Sequence, residues 1–116
     1  MANKQHVLTL ELKDDEDLIC LYESYHQPGR VWPEVLASIR DSGIEQMQIC
    51  RLGTLLVMVL QVNDKFSFEA KSVADNNNTK VQEWERLMER FQKFDVVRSG
   101  TAKWQVMDPL FQLDEH

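Results

Sequence analysis

The sequence predicts an α+β domain built on one antiparallel sheet. Segments with the two-residue period of a strand lie near both ends and in the middle of the chain, and segments with helical spacing lie between them. Residues 44–52 and 54–62 are separated by Gly53 alone, a connection short enough for antiparallel neighbours but not for parallel ones. We therefore expect a central hairpin, in which the strand at residues 54–62 is apolar on both faces and lies inside the sheet.

The first strand and helix are predicted from the alternation and charge of the N-terminal segment. Residues 5–12 alternate polar and apolar side chains, which is typical of a strand with one face more buried than the other. Acidic residues 14–16 follow, where negative charge stabilises a helix N-terminus, and apolar and aromatic residues then recur at helical spacing. The turn-forming residues 26–29 interrupt this helix.

A second helical segment follows the break, and the clearest helix lies in the second half of the chain. Pro33 lies in the first turn of the second segment, and Gly43 lies just beyond its end. Residues 66–73 fit either a short helix or a packed loop. Thr79 and Gln82 form a capping-box pattern at the start of a helix predicted over residues 79–93.

The order of elements predicts the ferredoxin-like arrangement. Residues 93–103 are expected to form a loop, and residues 104–113 a final strand bent at Pro109. The order strand, helix, strand, strand, helix, strand gives an antiparallel sheet with its helices on one face. The other face remains uncovered, so we expect a homodimer in which two sheets pair through these faces.

Composition limits the number of domains and the kinds of partner. The chain has 116 residues, of which 43% are hydrophobic and 28% charged, so residues 1–116 are long enough for one folded core and too short for two. A formal charge of -6 and a pI near 5.0 disfavour binding to nucleic acid and to anionic membranes, because both attract basic proteins.

No segment has the pattern of a membrane span or an export signal. The longest apolar run, Leu55–Leu60, is far shorter than the roughly 20 residues that cross a bilayer. The N-terminus lacks the basic lead and apolar run of a signal peptide. Cys20 and Cys50 have neither zinc nor redox spacing and are expected to be reduced, packed thiols. We therefore expect a cytoplasmic protein.

His26 is the candidate for proton transfer, since His6 and His116 lie near the chain ends. Tyr22 lies four residues before His26, so that both side chains project from one helix face, and Trp32 follows the turn. An imidazole titrates near neutral pH, and a tyrosine hydroxyl can orient a ligand by hydrogen bonding. The alternative, which spacing alone favours, is a histidine that caps the end of a helix.

The aromatic and acidic residues of the second half are weaker candidates. Trp84 fits either a core position or a ligand-stacking position, and Glu85 beside it is most simply a solvated charge. Asp108 and Trp104 are placed to complete a polar and aromatic pocket on the last strand. The sequence has no glycine-rich phosphate loop, no Ser-His-Asp order and no carboxylate cluster with metal-ligand spacing, so neither a cofactor nor a metal is predicted.

Several of these residues together resemble the signature of the L-rhamnose mutarotase family. The similarity covers nearly the whole chain, and the stretch from the histidine to the Trp-Pro-Glu sequence is its specific part. The matching residues are Tyr22-x-x-x-His26, Val31-Trp32-Pro33-Glu34-Val35-Leu36, Gly43, Val81-Gln82-Glu83-Trp84 with Met88, and Met107 with Phe111-Gln112-Leu113.

This resemblance implies a dimeric α/β barrel of ferredoxin-like sheets and an isomerase that interconverts the α and β anomers of a 6-deoxy sugar without metal or cofactor. His26 matches the family's proton donor, and Tyr22 and Trp84 match positions that contact the sugar. Rhamnose-specific members have a second aromatic residue where this chain has Glu85, and a tyrosine where it has Met47. The pattern Trp84-Glu85-x-x-Met88 looks more like the branch assigned to L-fucose, which makes L-fucose the favoured sugar and L-rhamnose the alternative.

Anomer exchange requires one proton to be removed from the anomeric hydroxyl and one to be delivered to the ring oxygen. We expect His26 to transfer the ring-opening proton and Asp108 to act as a second carrier. The residues expected to contact the sugar are Tyr22, Trp32, Trp84, Glu85, Met47 and Trp104. Two other classes share such a sheet dimer: a haem-type protein, in which a lone histidine would bind iron, and a non-catalytic sugar-binding or assembly module.

Overall fold

The computed structural model describes residues 4–93 and 104–115, and their secondary structure follows the predicted alternation of strands and helices. In chain order the elements are β1 (Lys4–Leu12), α1 (Glu16–Tyr25), α2 (Pro33–Asp41), β2 (Ile44–Leu52), β3 (Leu55–Val62), α3 (Phe68–Asn76), α4 (Thr79–Glu89), β4 (Gln92–Lys93), β5 (Gln105–Met107) and a 3-10 helix (Leu113–Glu115).

One antiparallel sheet contains these five strands. The strand order is β2-β3-β1-β4, and β5 also pairs with β1. The hairpin of β2 and β3 turns at Gly53, whose φ of 61° is in the left-handed region that favours glycine. β4 pairs with Glu11 and Leu12, and β5 pairs with residues 7–9. The predicted antiparallel α+β fold is confirmed, with the first strand between the hairpin and the C-terminal strands.

The core lies on one face of the sheet, beneath the helices. Residues of even number in β1 and β3 point toward the helices, and most are buried, as the two-residue period of a strand requires. The alternate residues form what we call the open sheet face, on which no described helix packs. Its apolar members include Val7, Val57, Val59 and Met107.

α4 is shorter than predicted and has a different cap. It begins after Asn78, whose Oδ1 accepts a hydrogen bond from the Val81 N–H at 3.2 Å, so the predicted capping box of Thr79 and Gln82 is wrong. The helix ends at Glu89 rather than at residue 93. The chain then turns so that Phe91 enters the core and residues 92–93 pair with β1. This strand pairing provides hydrogen-bond partners for backbone groups of β1 and β4, and a longer helix would have prevented it.

The final strand is also shorter than predicted, whereas the ambiguous segment at residues 66–73 contains the start of a helix. β5 ends two residues before Pro109, which has no N–H to donate to a sheet. α3 is capped by Ser67, whose hydroxyl accepts from the Ala70 N–H at 3.0 Å. The predicted loop at residues 93–103 begins inside β4, and its remainder lies outside the described residues.

The cysteines are free thiols, but the prediction that they are packed is wrong. Cys20 is exposed on α1, and Cys50 is exposed on β2. Cys50 is paired with Val57 on the open sheet face, where the helices do not cover it. Among residues 4–93 and 104–115, the structure contains no helix that is long and apolar enough to cross a membrane.

Candidate active site

α1 presents Tyr22 and His26 on the same side. The helix begins at Asp15, whose carboxylate accepts hydrogen bonds from the Asp17 and Leu18 N–H groups at 3.0 and 3.1 Å. It ends at Tyr25, and His26 is the C-terminal cap residue. The near-helical backbone at the cap keeps positions 22 and 26 in register.

The ring of His26 bonds to the backbone of its own helix. Its Nδ1 lies 2.8 Å from the carbonyl oxygen of Tyr22, and since a carbonyl can only accept, Nδ1 is the donor. The helix-capping alternative is therefore correct as a description of Nδ1. It leaves Nε2, the second ring nitrogen, as the atom available for proton transfer in the neutral imidazole.

Aromatic rings surround this imidazole. The ring centroids of Tyr22 and His26 are 4.3 Å apart, and those of His26 and Trp84 are 5.7 Å apart with the planes at 69°. Trp32 lies edge to face against Trp84 at 5.3 Å, because it is the N-terminal cap residue of α2 where this helix meets α4. The structure thus brings four of the predicted site residues together.

Two further aromatic residues belong to this group. Tyr25 packs at 90° against Trp84, with centroids 6.2 Å apart, and Phe91 contacts the rings of Tyr22 and Tyr25 at 5.8 and 5.9 Å. Tyr25 was not among the predicted site residues, although its position on α1, three residues after Tyr22, was the available signal. We call the six residues the ring cluster: Tyr22, Tyr25, His26, Trp32, Trp84 and Phe91.

Burial changes the acid–base properties of two members of the ring cluster. Desolvation lowers the pKa of His26 below its usual 6.5, and the hydrogen bond to the Tyr22 backbone opposes this only in part. Tyr22 is 4% exposed, and its burial raises the pKa of the phenol to about 12. At neutral pH both side chains are therefore uncharged, with His26 ready to accept a proton and Tyr22 holding its own.

Trp104 joins the core near the ring cluster, whereas Met47 lies in a neighbouring part of the core. Trp104 is half-buried and packs against both groups of core residues, including the one that contains Tyr22 and Trp84. Met47 is half-buried on β2, opposite Leu60, and packs against the second group alone. Met47 is therefore not placed against the ring cluster.

Glu85 and Asp108 differ in their surroundings. Glu85 is half-buried beside Trp84, and the Gln82 side-chain amide donates to its carboxylate at 3.3 Å while also donating to the Asp75 carbonyl at 2.9 Å. Asp108 is exposed and follows Met107, which pairs with Val7 near the start of β1. Its four-residue separation from Trp104 is roughly 13 Å along a strand, and the structure does not place it against His26.

No three His, Cys, Asp or Glu side chains within the described ranges are grouped to hold a metal ion. The chemistry available at the ring cluster is proton transfer by an imidazole next to flat apolar surfaces. Such surfaces bind ligands that have apolar faces and hydroxyl edges.

The fold and the similarity to known proteins together identify the family to which this chain belongs. The described chain has a ferredoxin-like α+β fold, and a crystal structure of an L-rhamnose mutarotase from Formosa agariphila has the same fold, with a TM-score of 0.68 over 95% of this chain and 98% of that one at 16% identity. A family model described as L-rhamnose mutarotase matches residues 5–113. The chain belongs to the L-rhamnose mutarotase family and is a sugar mutarotase, an isomerase.

Two relatives are similar over almost the full length. An L-fucose mutarotase of Xanthomonas campestris is 38% identical over 99% of this chain and 92% of its own. A UPF0734 protein of Dictyostelium discoideum is 32% identical over 96% of this chain and 90% of its own.

Proposed function

We propose that this mutarotase interconverts the α and β anomers of a 6-deoxy-hexose, with L-fucose as the favoured sugar, and that His26 performs the proton transfer at Nε2. The observation that carries the assignment is the ring cluster around a half-buried imidazole. Its Nδ1 is held by the Tyr22 carbonyl, so that the ring orientation and the position of Nε2 are set by α1 itself.

One imidazole is sufficient for both proton transfers, because the proton that it removes is the one that it later returns. Neutral His26 takes the proton of the anomeric hydroxyl at Nε2, the bond from C1 to the ring oxygen breaks, and C1 becomes an aldehyde carbon. The imidazolium then gives its proton to the former ring oxygen. Rotation about the bond between C1 and C2 and the reverse steps produce the other anomer. Both oxygens are attached to C1 in the closed ring, so one imidazole can serve both.

The aromatic residues are assigned to hold the sugar. Trp32 is half-buried and Trp84 is 8% exposed, and we assign their rings to the apolar C–H surface and the methyl group of a 6-deoxy sugar. The Tyr22 phenol is neutral and suits a hydrogen bond to a sugar hydroxyl. Trp104 is also assigned to the surface that contacts the sugar. Asp108 as a second proton carrier stays a prediction, which its exposed position does not support.

The preference for L-fucose rests on the 38% identity to an L-fucose mutarotase and on Glu85. A carboxylate at that position offers sugar hydroxyls two negatively charged acceptor oxygens, which no aromatic side chain does at neutral pH. L-Fucose and L-rhamnose differ in hydroxyl stereochemistry, so a few polar contacts decide between them. Met47 is the second position that separates the two patterns.

The test is anomer exchange measured by NMR saturation transfer between the α and β signals of L-fucose. His26→Ala should slow enzyme-dependent exchange by about 10²- to 10⁴-fold, the usual contribution of a positioned acid or base. The matched control His6→Ala removes the histidine of β1, which packs against Phe66 and Phe68 rather than in the ring cluster. Unchanged exchange in His26→Ala would refute the assignment, and sugar binding without exchange in the wild type would favour the non-catalytic module.

We also propose that the chain forms a cytoplasmic homodimer through the open sheet face. Val57 and Val59 of the inner strand β3 would otherwise present apolar side chains to water, and Met107 adds to the same face. Val59→Glu should shift the mass measured by light scattering from dimer to monomer. Ala37→Glu, on the exposed side of α2, is the matched control and should stay dimeric. A wild-type monomer would refute this proposal.

A further inference from the structure

A basic cavity lies where the loop after β1, the end of α4 and β4 meet. It has a volume of about 500 Å³. None of its lining side chains belongs to the ring cluster, and the anomer exchange proposed above does not use them. The lining residues are Lys13, Arg86, Glu89, Arg90, Gln92 and Lys93.

This cavity is lined mainly by positive charges, whereas the chain as a whole is negatively charged. Four of its six lining residues are cationic and one is a carboxylate, although the chain carries a formal charge of -6. Arg86 and Arg90 lie at the C-terminal end of α4, where the helix dipole favours cations. That explanation does not extend to Lys13 and Lys93, which come from two other segments. Like charges brought together from three segments repel one another, and the single carboxylate of the lining is outnumbered by four cations.

Two of these cations have contacts outside the cavity. The guanidinium carbon of Arg90 lies 5.6 Å from the centroid of the Phe91 ring, a cation–π contact that fixes its position. Lys93 has an ion pair with Glu11 at 3.9 Å, but both side chains are more than half exposed, so this pair is weak.

Gln92 supplies a second, independent indication of a ligand. The residue is 5% exposed and lines the cavity, and its Oε1 has no hydrogen-bond partner among residues 4–93 and 104–115. Buried amide oxygens are nearly always bonded, because leaving one unpaired costs the desolvation of that atom. Turning of the side-chain amide toward the cavity would bring this oxygen within reach of a ligand hydroxyl. The cavity thus combines several positive charges with one buried acceptor.

We propose that this cavity binds a phosphomonoester of a small hydroxylated molecule, such as a hexose phosphate. The guanidinium groups of Arg86 and Arg90 suit phosphate oxygens, which they can bind in a bidentate manner, and the lysines add charge. When the Gln92 amide turns toward the cavity, a hydroxyl of the ligand donates to its Oε1. The volume of about 500 Å³ is within the usual range of small-molecule sites.

The experiment is calorimetric titration of the full chain with a hexose 1-phosphate, with inorganic phosphate and with the neutral hexose, each in the presence of saturating L-fucose. The free sugar occupies the ring cluster if the proposed function is correct. If that proposal fails, the arginine variants described below still assign the binding to the basic cavity. We expect one saturable site per chain for the hexose 1-phosphate, weaker binding of inorganic phosphate, and no binding of the neutral hexose at this site. Binding should weaken as the salt concentration rises.

Variants assign the binding to named residues. Arg86→Gln combined with Arg90→Gln should lower the affinity for the ester by at least about 10-fold. Arg40→Gln combined with Lys80→Gln removes the same formal charge elsewhere and should leave it within about 2-fold. Gln92→Met should weaken binding of the ester more than binding of inorganic phosphate. Circular dichroism of each variant checks that the fold persists.

Several results would overturn the proposal. These are the absence of saturable binding up to about 10 mM ester, a wild-type affinity in the double arginine variant, and an equal loss in the charge-matched control. Equal affinities for ester and inorganic phosphate, both unchanged in Gln92→Met, would overturn the assignment to an ester.

Discussion

His26 Nδ1 lies 2.8 Å from the carbonyl oxygen of Tyr22, so the last turn of α1 both carries the imidazole and orients it. The hydrogen bond fixes which ring nitrogen carries the proton in the neutral form. The same geometry brings the Tyr22 ring to 4.3 Å from the imidazole centroid. A single helical turn therefore sets the tautomer, the direction and part of the apolar surroundings of the proposed proton-transfer group.

The lowered pKa of His26 predicts the pH dependence of activity. The proposed base acts when neutral, so the exchange rate should be level near neutral pH and should fall on an acid limb centred below 6.5. Saturation-transfer rates measured across that range test this. The residual exchange of His26→Ala should lack the limb, whereas His6→Ala should retain it. An acid limb above 6.5 in the wild type would contradict the prediction.

The same lowered pKa predicts an effect on stability. Between 6.5 and the lower pKa of the folded state, the unfolded chain binds the extra proton at His26 more readily, so the free energy of unfolding should decrease as the pH falls through this window. Urea unfolding at several pH values measures it. The decrease should be smaller in His26→Ala than in the wild type, and an identical decrease in both would count against burial as its cause.

Tyr22 predicts an effect at alkaline pH. Its pKa of about 12 lies above the usual 10, so between these values the unfolded chain loses the proton first and the free energy of unfolding should decrease as the pH rises. Tyr22→Phe should weaken that decrease, while Tyr25→Phe should leave the contribution of Tyr22 in place. Unfolding at about pH 9 and about pH 11 gives the comparison.

Glu85 predicts a change in sugar preference. Its carboxylate is held by the Gln82 amide, so replacing Glu85 with Gln should reduce the ratio of L-fucose to L-rhamnose exchange rates by about 10-fold, through loss of a charged acceptor. Gln82→Met should lower the ratio less, because it removes one hydrogen bond to the carboxylate and leaves the charged acceptor in place. Glu83→Gln on the same helix is the control. A ratio unaffected by Glu85→Gln would remove this residue from the sugar site.

The ion pair of Lys71 and Asp75 predicts a measurable coupling within α3, at the place where this helix contacts α2. Lys71 Nζ lies 2.9 Å from Asp75, whose side chain is 17% exposed and also accepts from the Ser38 hydroxyl of α2 at 3.0 Å. Lys71→Met should cost about 1–3 kcal/mol, because it leaves a largely buried carboxylate with fewer partners. The double change with Asp75→Asn should cost less than the sum of the single changes.

A matched control separates this coupling from the general effect of charge. Lys80 and Glu83 on α4 form an ion pair at 3.4 Å with both side chains largely exposed. The corresponding cycle with Lys80→Met and Glu83→Gln should give a coupling below about 0.5 kcal/mol in the same chemical unfolding assay. Equal couplings in the two cycles would show that burial of Asp75 adds nothing.

Local patterns were sufficient for most of the elements and for part of the site. Alternation in residues 5–12 predicted the first strand, and the turn at Gly53 predicted the hairpin, because both are properties of neighbouring residues. The four-residue spacing of Tyr22 and His26 predicted their contact for the same reason. The predicted cap of α4 was wrong because Asn78 and Thr79 are both good cap residues, and the backbone geometry selected Asn78.

The sequence by itself determined an α+β chain with a central hairpin and one histidine beside a tyrosine, since those features depend on period and spacing within one segment. Tertiary packing decided that Trp32 and Trp84 meet across two helices, that Asp108 stays exposed, and that Phe91 leaves the helix for the core. It also brought Lys13 and Lys93 beside two arginines around a buried amide. Contacts between distant segments depend on how whole faces fit together, which no local period specifies.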